Sequence, residues 1–166
     1  SGFSIFAMYW AHTSPVIALT RAELPGISVG KVLWVIWAAV LVIATANAVN
    51  LTDGLDGLAS GSAAIGFSAF VVIGYWIFRH PESYDVHHAL DLAIIAAAMT
   101  GACIGFLWWN APPARIFMGD TGSLAIGTAF AGLALFLETH LLLPVIGAPY
   151  VLETLSVIIQ VGSYRI

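Results

Sequence analysis

Asn47, Asn50, Asp53 and Asp56 fall at every third position of the stretch NAVNLTDGLDGLASG, which directly follows an apolar run. Residues three apart share a face near a helix end, and more so if the last turn tightens toward 3₁₀ geometry. Gly54 and Gly57 each follow an aspartate, so the backbone can turn sharply and a ligand can approach it. Carboxylates and amide carbonyls are hard oxygen donors of the kind Mg²⁺ takes together with substrate phosphates. Asparagine amides can in addition hydrogen-bond a base, a ribose or a sugar. The competing reading is a polar turn between two helices, with Asp-Gly as its turn former.

A second polar stretch, NAPPARIFMGDTGSLAIG, runs from Asn110 to Gly127. Pro112 and Pro113 stop whatever helix precedes them. Asp120 stands before an apolar segment, where it could cap a helix or supply a third carboxylate. The GDTGS stretch resembles a phosphate cradle but lacks the spacing and the lysine of a P-loop. Phe117 is placed to stack on a base or to pack against lipid or core.

These residues need a frame, and the composition restricts it. Hydrophobic residues make up 60 % of the 166-residue chain and charged residues only 8 %, against about 25 % charged in a soluble domain. The mean hydropathy of +0.96 points to a membrane protein. A net charge of −4 excludes a nucleic-acid binder of the usual basic kind. The single Cys103 permits no internal disulfide and reads as a small core residue. The expected fold is all-α, a polytopic transmembrane helix bundle with about five complete spans, near 32–49, 58–78, 89–109, 121–137 and 141–162, plus a partial one before residue 13. The whole of 1–166 reads as one integral-membrane domain. Gly101 and Gly105 form a GxxxG pair that suits close helix packing. Trp34, Trp37, Tyr75, Trp76, Trp108 and Trp109 sit near span ends, as interfacial aromatic belts do.

Alternating the loops across the bilayer puts Asp53, Asp56 and Asp120 on one membrane face. His12, His80, His87, His88 and His140 fall on the other, where they read as exposed loop polarity. The few basic residues, counted alone, favour the motif face being outside. Pro144, Gly147 and Pro149 suggest a broken helix before Glu153, and an acid inside a span is a functional candidate.

Together the two stretches resemble the polyprenyl-phosphate N-acetylhexosamine-1-phosphate transferase family, and ETLSVIIQV from Glu153 is similar to a later stretch of the same family. Within it the wording is most similar to the branch that makes lipid I. The resemblance implies an integral membrane enzyme of about ten helices that requires Mg²⁺. Its substrates would be UDP-N-acetylmuramoyl-pentapeptide and undecaprenyl phosphate, its products lipid I and UMP. The site would face the cytoplasm from the bacterial plasma membrane, overruling the charge count, and the assembly would be a homodimer. By motif match, Asp120 resembles the Mg²⁺ ligand, and Asp53, Asp56 and Asp120 the catalytic carboxylates. Asn47 and Asn50 match cleft-lining positions, Gly54, Leu55 and Asp56 the uridine-binding turn, Phe117 the ring that stacks on uracil, and Asn110 a nucleoside-pocket position. The family's acidic pair on an earlier helix and its later histidine-rich loop have no match here. The chain is therefore expected to be an internal piece of a longer enzyme, and inactive alone. The alternatives are a sister transferase using UDP-N-acetylglucosamine and a secondary transporter.

Overall fold

The computed structural model describes residues 16–17, 27–28, 30–84, 86 and 88–164. The predicted partial span before residue 13, together with His12 and His87, lies outside them. Among the described residues a two-residue antiparallel pairing, β1 (Val16–Ile17) with β2 (Ile27–Ser28), precedes the helices. Six helices follow: α1 (Gly30–Thr52), α2 (Leu58–Arg79), α3 (Ala89–Asn110), α4 (Gly119–Phe136), α5 (Leu143–Ile146) and α6 (Ala148–Ser163). The protein is a helical bundle, as the composition requires. In a bilayer every backbone N–H and C=O needs an internal partner, and a helix supplies it. Even the hydroxyls within the helices comply: Thr45, Ser68, Thr100 and Thr128 each donate to the carbonyl four residues back, at 2.7 to 2.9 Å.

Helices α1, α2 and α3 are each long and apolar enough to cross a membrane. The fourth expected span, α4, is 18 residues long and opens on polar Gly119 and Asp120. The fifth is broken into α5 and α6 at Gly147, with Pro144 and Pro149 each near the start of its own helix, where a missing N–H costs little.

Two close approaches set the packing. A Cβ added at Gly127 on α4 would lie 2.4 Å from Ala46 Cα on α1, and one at Gly74 on α2 would lie 3.0 Å from Ala93 Cβ on α3. These contacts run antiparallel. Ala46 meets Gly127 while Asn50 meets Ser123; Gly74 meets Ala93 while Gly57 meets Leu107. Phe130 joins the pairs, its ring seated over Gly66 and in contact with Phe67, Phe70 and Tyr150. The GxxxG pair makes no close approach within this chain: a Cβ at Gly101 or Gly105 would meet nothing within 4 Å among the described residues, since that face of α3 points away from the other described helices. Cys103 is buried in the core, as expected. Of the residues expected in an aromatic belt, Tyr75, Trp76, Trp108 and Trp109 are exposed, whereas Trp34 is a core residue.

The far end of α4 departs from expectation as well. Glu138 adopts a left-handed conformation at φ 56°, and the Thr139 N–H reaches back to the Ala134 carbonyl at 2.8 Å. This is a helix-ending turn of the Schellman kind, usually built on glycine. It tucks Glu138, Thr139 and His140 inside, with His140 only 1 % exposed. His140 is thus not exposed loop polarity. His88 is exposed, and His80 is half-buried and stacked on Trp76.

Candidate active site

The antiparallel packing gathers four helix ends at one mouth: the C-termini of α1 and α3 and the N-termini of α2 and α4. N-termini favour anions and C-termini favour cations, so both signs of ligand charge find a helix end there.

The first motif ends α1. Its last turn tightens as the spacing suggests: the Asp53 N–H is shared between the carbonyls of Val49 at 3.2 Å and Asn50 at 3.3 Å. Thr52 caps this end from inside, donating to the Ala48 carbonyl at 2.9 Å. Asp53, Gly54, Leu55 and Asp56 then form the turn to α2, closed by the Leu58 N–H on the Leu55 carbonyl at 3.1 Å. Gly57 sits at φ 76° with Leu107 close behind it, so a side chain would be strained by the backbone and crowded by the leucine.

The second motif crosses this turn. Asn110, 4 % exposed at the end of α3, accepts on Oδ1 from the Gly57 N–H at 3.1 Å and the Ser60 hydroxyl at 3.0 Å. Its Nδ2 donates to the Ile116 carbonyl at 2.9 Å. The Asp56 carboxylate accepts from the Ala114 N–H at 3.0 Å, just past the two prolines. Asn110 and Asp56 therefore bind the α1–α2 turn to the loop before α4, and Asn110 acts as a brace. At the start of α4, Gly119 takes φ 65° and Met118 stands at the cap position without a side-chain capping bond. Asp120 is not the N-cap considered from the sequence. It lies in the first turn, exposed, with its carboxylate left for the mouth.

Asp53 and Asp120 face one another electrostatically. Burial, and then the Asp120 charge, push the Asp53 carboxyl above the ordinary aspartate range. Between them, buried Ser123 donates to Asn50 Oδ1 at 2.8 Å and also reaches the carbonyls of Gly119 and Asp120. Asn47, one turn earlier on α1, is exposed and donates to the Ile43 carbonyl at 2.8 Å. Leu55 and Phe117 stand exposed at the rim, Phe117 at 76 %. Arg115 lies over the Trp109 ring, 5.9 Å from its centroid, and brings a cation to the same mouth. Glu153 is half-buried on α6.

Among the described residues, no three His, Cys, Asp or Glu side chains converge to hold a metal. Asp53, its carboxyl raised by burial and by the neighbouring Asp120 charge, is nonetheless part of a donor set whose crowded negative charge a divalent cation relieves. Mg²⁺ typically uses one or two protein carboxylates and completes its shell with water and phosphate oxygens. The residues present fit that pattern. Ser60 and Ser123 were not singled out from the sequence. Their signal was a serine three residues past a motif glycine or aspartate, one helical turn inward.

The model of glycosyl transferase family 4 matches residues 2–138. A phospho-N-acetylmuramoyl-pentapeptide-transferase of Streptomyces avermitilis is 48 % identical over 179 residues, covering 99 % of this chain and 50 % of that protein. Its namesake in Thermobifida fusca is 52 % identical over 174 residues, with 99 % and 49 % covered. That of Corynebacterium diphtheriae is 54 % identical over 145 residues, with 83 % and 40 % covered. The chain spans about half the length of the curated relatives it matches.

Proposed function

This chain belongs to glycosyl transferase family 4, and we propose that it carries the nucleotide-sugar half of a lipid I synthase, moving phospho-N-acetylmuramoyl-pentapeptide from UDP to undecaprenyl phosphate and releasing UMP. The observation that carries this reading is the cross-bonded mouth, where Asn110 and Asp56 hold the turn and Ser123 holds Asn50 beside Asp53 and Asp120. The reading includes a single membrane domain within a longer chain of about ten helices, a bacterial plasma-membrane location, a mouth facing the cytoplasm and a homodimer.

The chemistry exchanges one phosphoanhydride for another, so developing charge lies on phosphate oxygens and positioning matters more than covalent help. Asp120, with Asp53 beside it, would hold Mg²⁺, which when bound neutralises phosphate charge. The turn at Gly54, Leu55 and Asp56 would receive the uridine, with Phe117 stacking on the base and Asn47 and Asn50 lining the sugar side. Asp53, half-buried beside Asp120 at the same mouth, would share in holding the cation and in positioning the phosphates. A helix mouth at the membrane surface lets a water-soluble donor meet a lipid acceptor.

The test is product identity. The complete reading frame containing this segment, in lipid nanodiscs with undecaprenyl phosphate, is given UDP-N-acetylmuramoyl-pentapeptide or UDP-N-acetylglucosamine. Lipid I and UMP from the first substrate alone support the reading. Product from the second alone assigns the sister activity. Substrate passage across a sealed bilayer without UMP would assign a carrier.

A further inference from the structure

Tyr150 stands on the first turn of α6, three residues past the break at Gly147, and is 2 % exposed. Its hydroxyl donates to the Ala59 carbonyl at 2.8 Å, across 91 positions of sequence. Ala59 lies two residues beyond Gly57, on the first turn of α2. The Tyr150 ring meets Phe130 edge-on at 5.7 Å. Another side borders an apolar cavity of about 260 Å³ between α1, α5 and α6. Packing therefore leaves the ring room to shift, and the hydroxyl supplies the directional contact. A phenylalanine would make the same edge contact with Phe130. A buried phenol needs a partner for its O–H, and here that partner is the backbone that starts from the motif turn.

We propose that Tyr150 is a positioning residue: its hydroxyl ties the broken helix α6 to the first turn of α2 and so holds the Asp53–Gly57 turn in register for the nucleotide. Asn110 grips the same turn of α2 from α3, through Gly57 and Ser60. The turn is held from two sides, and one hold comes from an element that neither motif contains. The nucleotide part of this inference rests on the proposed transferase reading; the mechanical link does not.

The test is Tyr150→Phe in the complete reading frame, in nanodiscs, compared with wild type by hydrogen–deuterium exchange and by steady-state kinetics. Expected is faster exchange in peptides covering 53–61 with unchanged exchange in α3. KM for the UDP-sugar should rise about three- to tenfold, the weight of one buried hydrogen bond, with kcat within about twofold. Unchanged exchange at 53–61 overturns the link. Exchange that rises equally in every helix shows a general packing role and overturns it too. A looser turn with unchanged KM overturns the positioning claim. If wild type releases no UMP while the turn still loosens in Tyr150→Phe, the transferase reading fails and the link stands.

Discussion

The two ends of the bundle treat polar residues in opposite ways. At the motif end, Asp56, Asp120 and Phe117 are exposed and Asp53 is half-buried, while the groups that hold them, Asn110, Ser60 and Ser123, are buried. At the far end of α4, Glu138, Thr139 and His140 are themselves buried beneath a tight helix-ending turn. One end invests its polar groups in holding a mouth open to a ligand, and the other folds them away to close the bundle. Similar residue types thus serve opposite purposes, and hydrogen-bonding partners separate the two cases better than residue identity does.

The comparison breaks first at Asp53. Asp53→Asn keeps the shape and removes the charge facing Asp120, and should cut UMP release by about 10²-fold or more. Asp91→Asn, exposed toward the other end beside His88, should change it less than twofold. Equal effects at the two positions would dissolve the distinction between the ends.

Next is the brace. Asn110→Ala removes three hydrogen bonds and leaves the Gly57 N–H without its partner. It should lower stability by about 2–3 kcal/mol, read as the midpoint of thermal unfolding in detergent, and weaken UMP binding in a titration. A change in binding without a change in stability would make Asn110 a ligand contact only.

Gly127→Ala should cost about 1–3 kcal/mol, because its Cβ meets backbone atoms of Ala46. Gly101→Ala, facing open space, should leave the unfolding midpoint unchanged or slightly raised. The same pair of measurements would show whether α1 and α4 approach as closely as described.

The smallest effect on stability belongs to the rim. Phe117→Ala should weaken nucleotide binding by about 1–3 kcal/mol, the range of base–aromatic stacking, without lowering stability, since the ring is 76 % exposed.

Much of the mouth was legible in the sequence, because spacing by threes, glycine after aspartate and paired prolines each impose a local geometry. The shared N–H at Asp53 and the break at Gly147 followed from local rules. What the sequence hid was relational. Nothing in NAPPARIF says that Asn110 turns inward to hold Gly57, since its partner lies 53 residues away. The GxxxG at Gly101 and Gly105 marks a face without saying what faces it, and within this chain the close approaches are made instead by Gly66, Gly74 and Gly127, which share no motif. His140 was misread because a histidine after a helix usually meets water, and only the left-handed Glu138 turns it inward.

The central claim is that two motifs, 67 residues apart between Asp53 and Asp120, form one phosphate-transfer site. The most direct measurement is UMP release from UDP-N-acetylmuramoyl-pentapeptide by the complete reading frame, with and without undecaprenyl phosphate and Mg²⁺, for wild type and Asp120→Asn. Release that needs both the lipid and the cation, and that is lost in Asp120→Asn while the protein still unfolds at the wild-type temperature, is the predicted result. Release at the wild-type rate by Asp120→Asn, or none from wild type with both additions present, would contradict it.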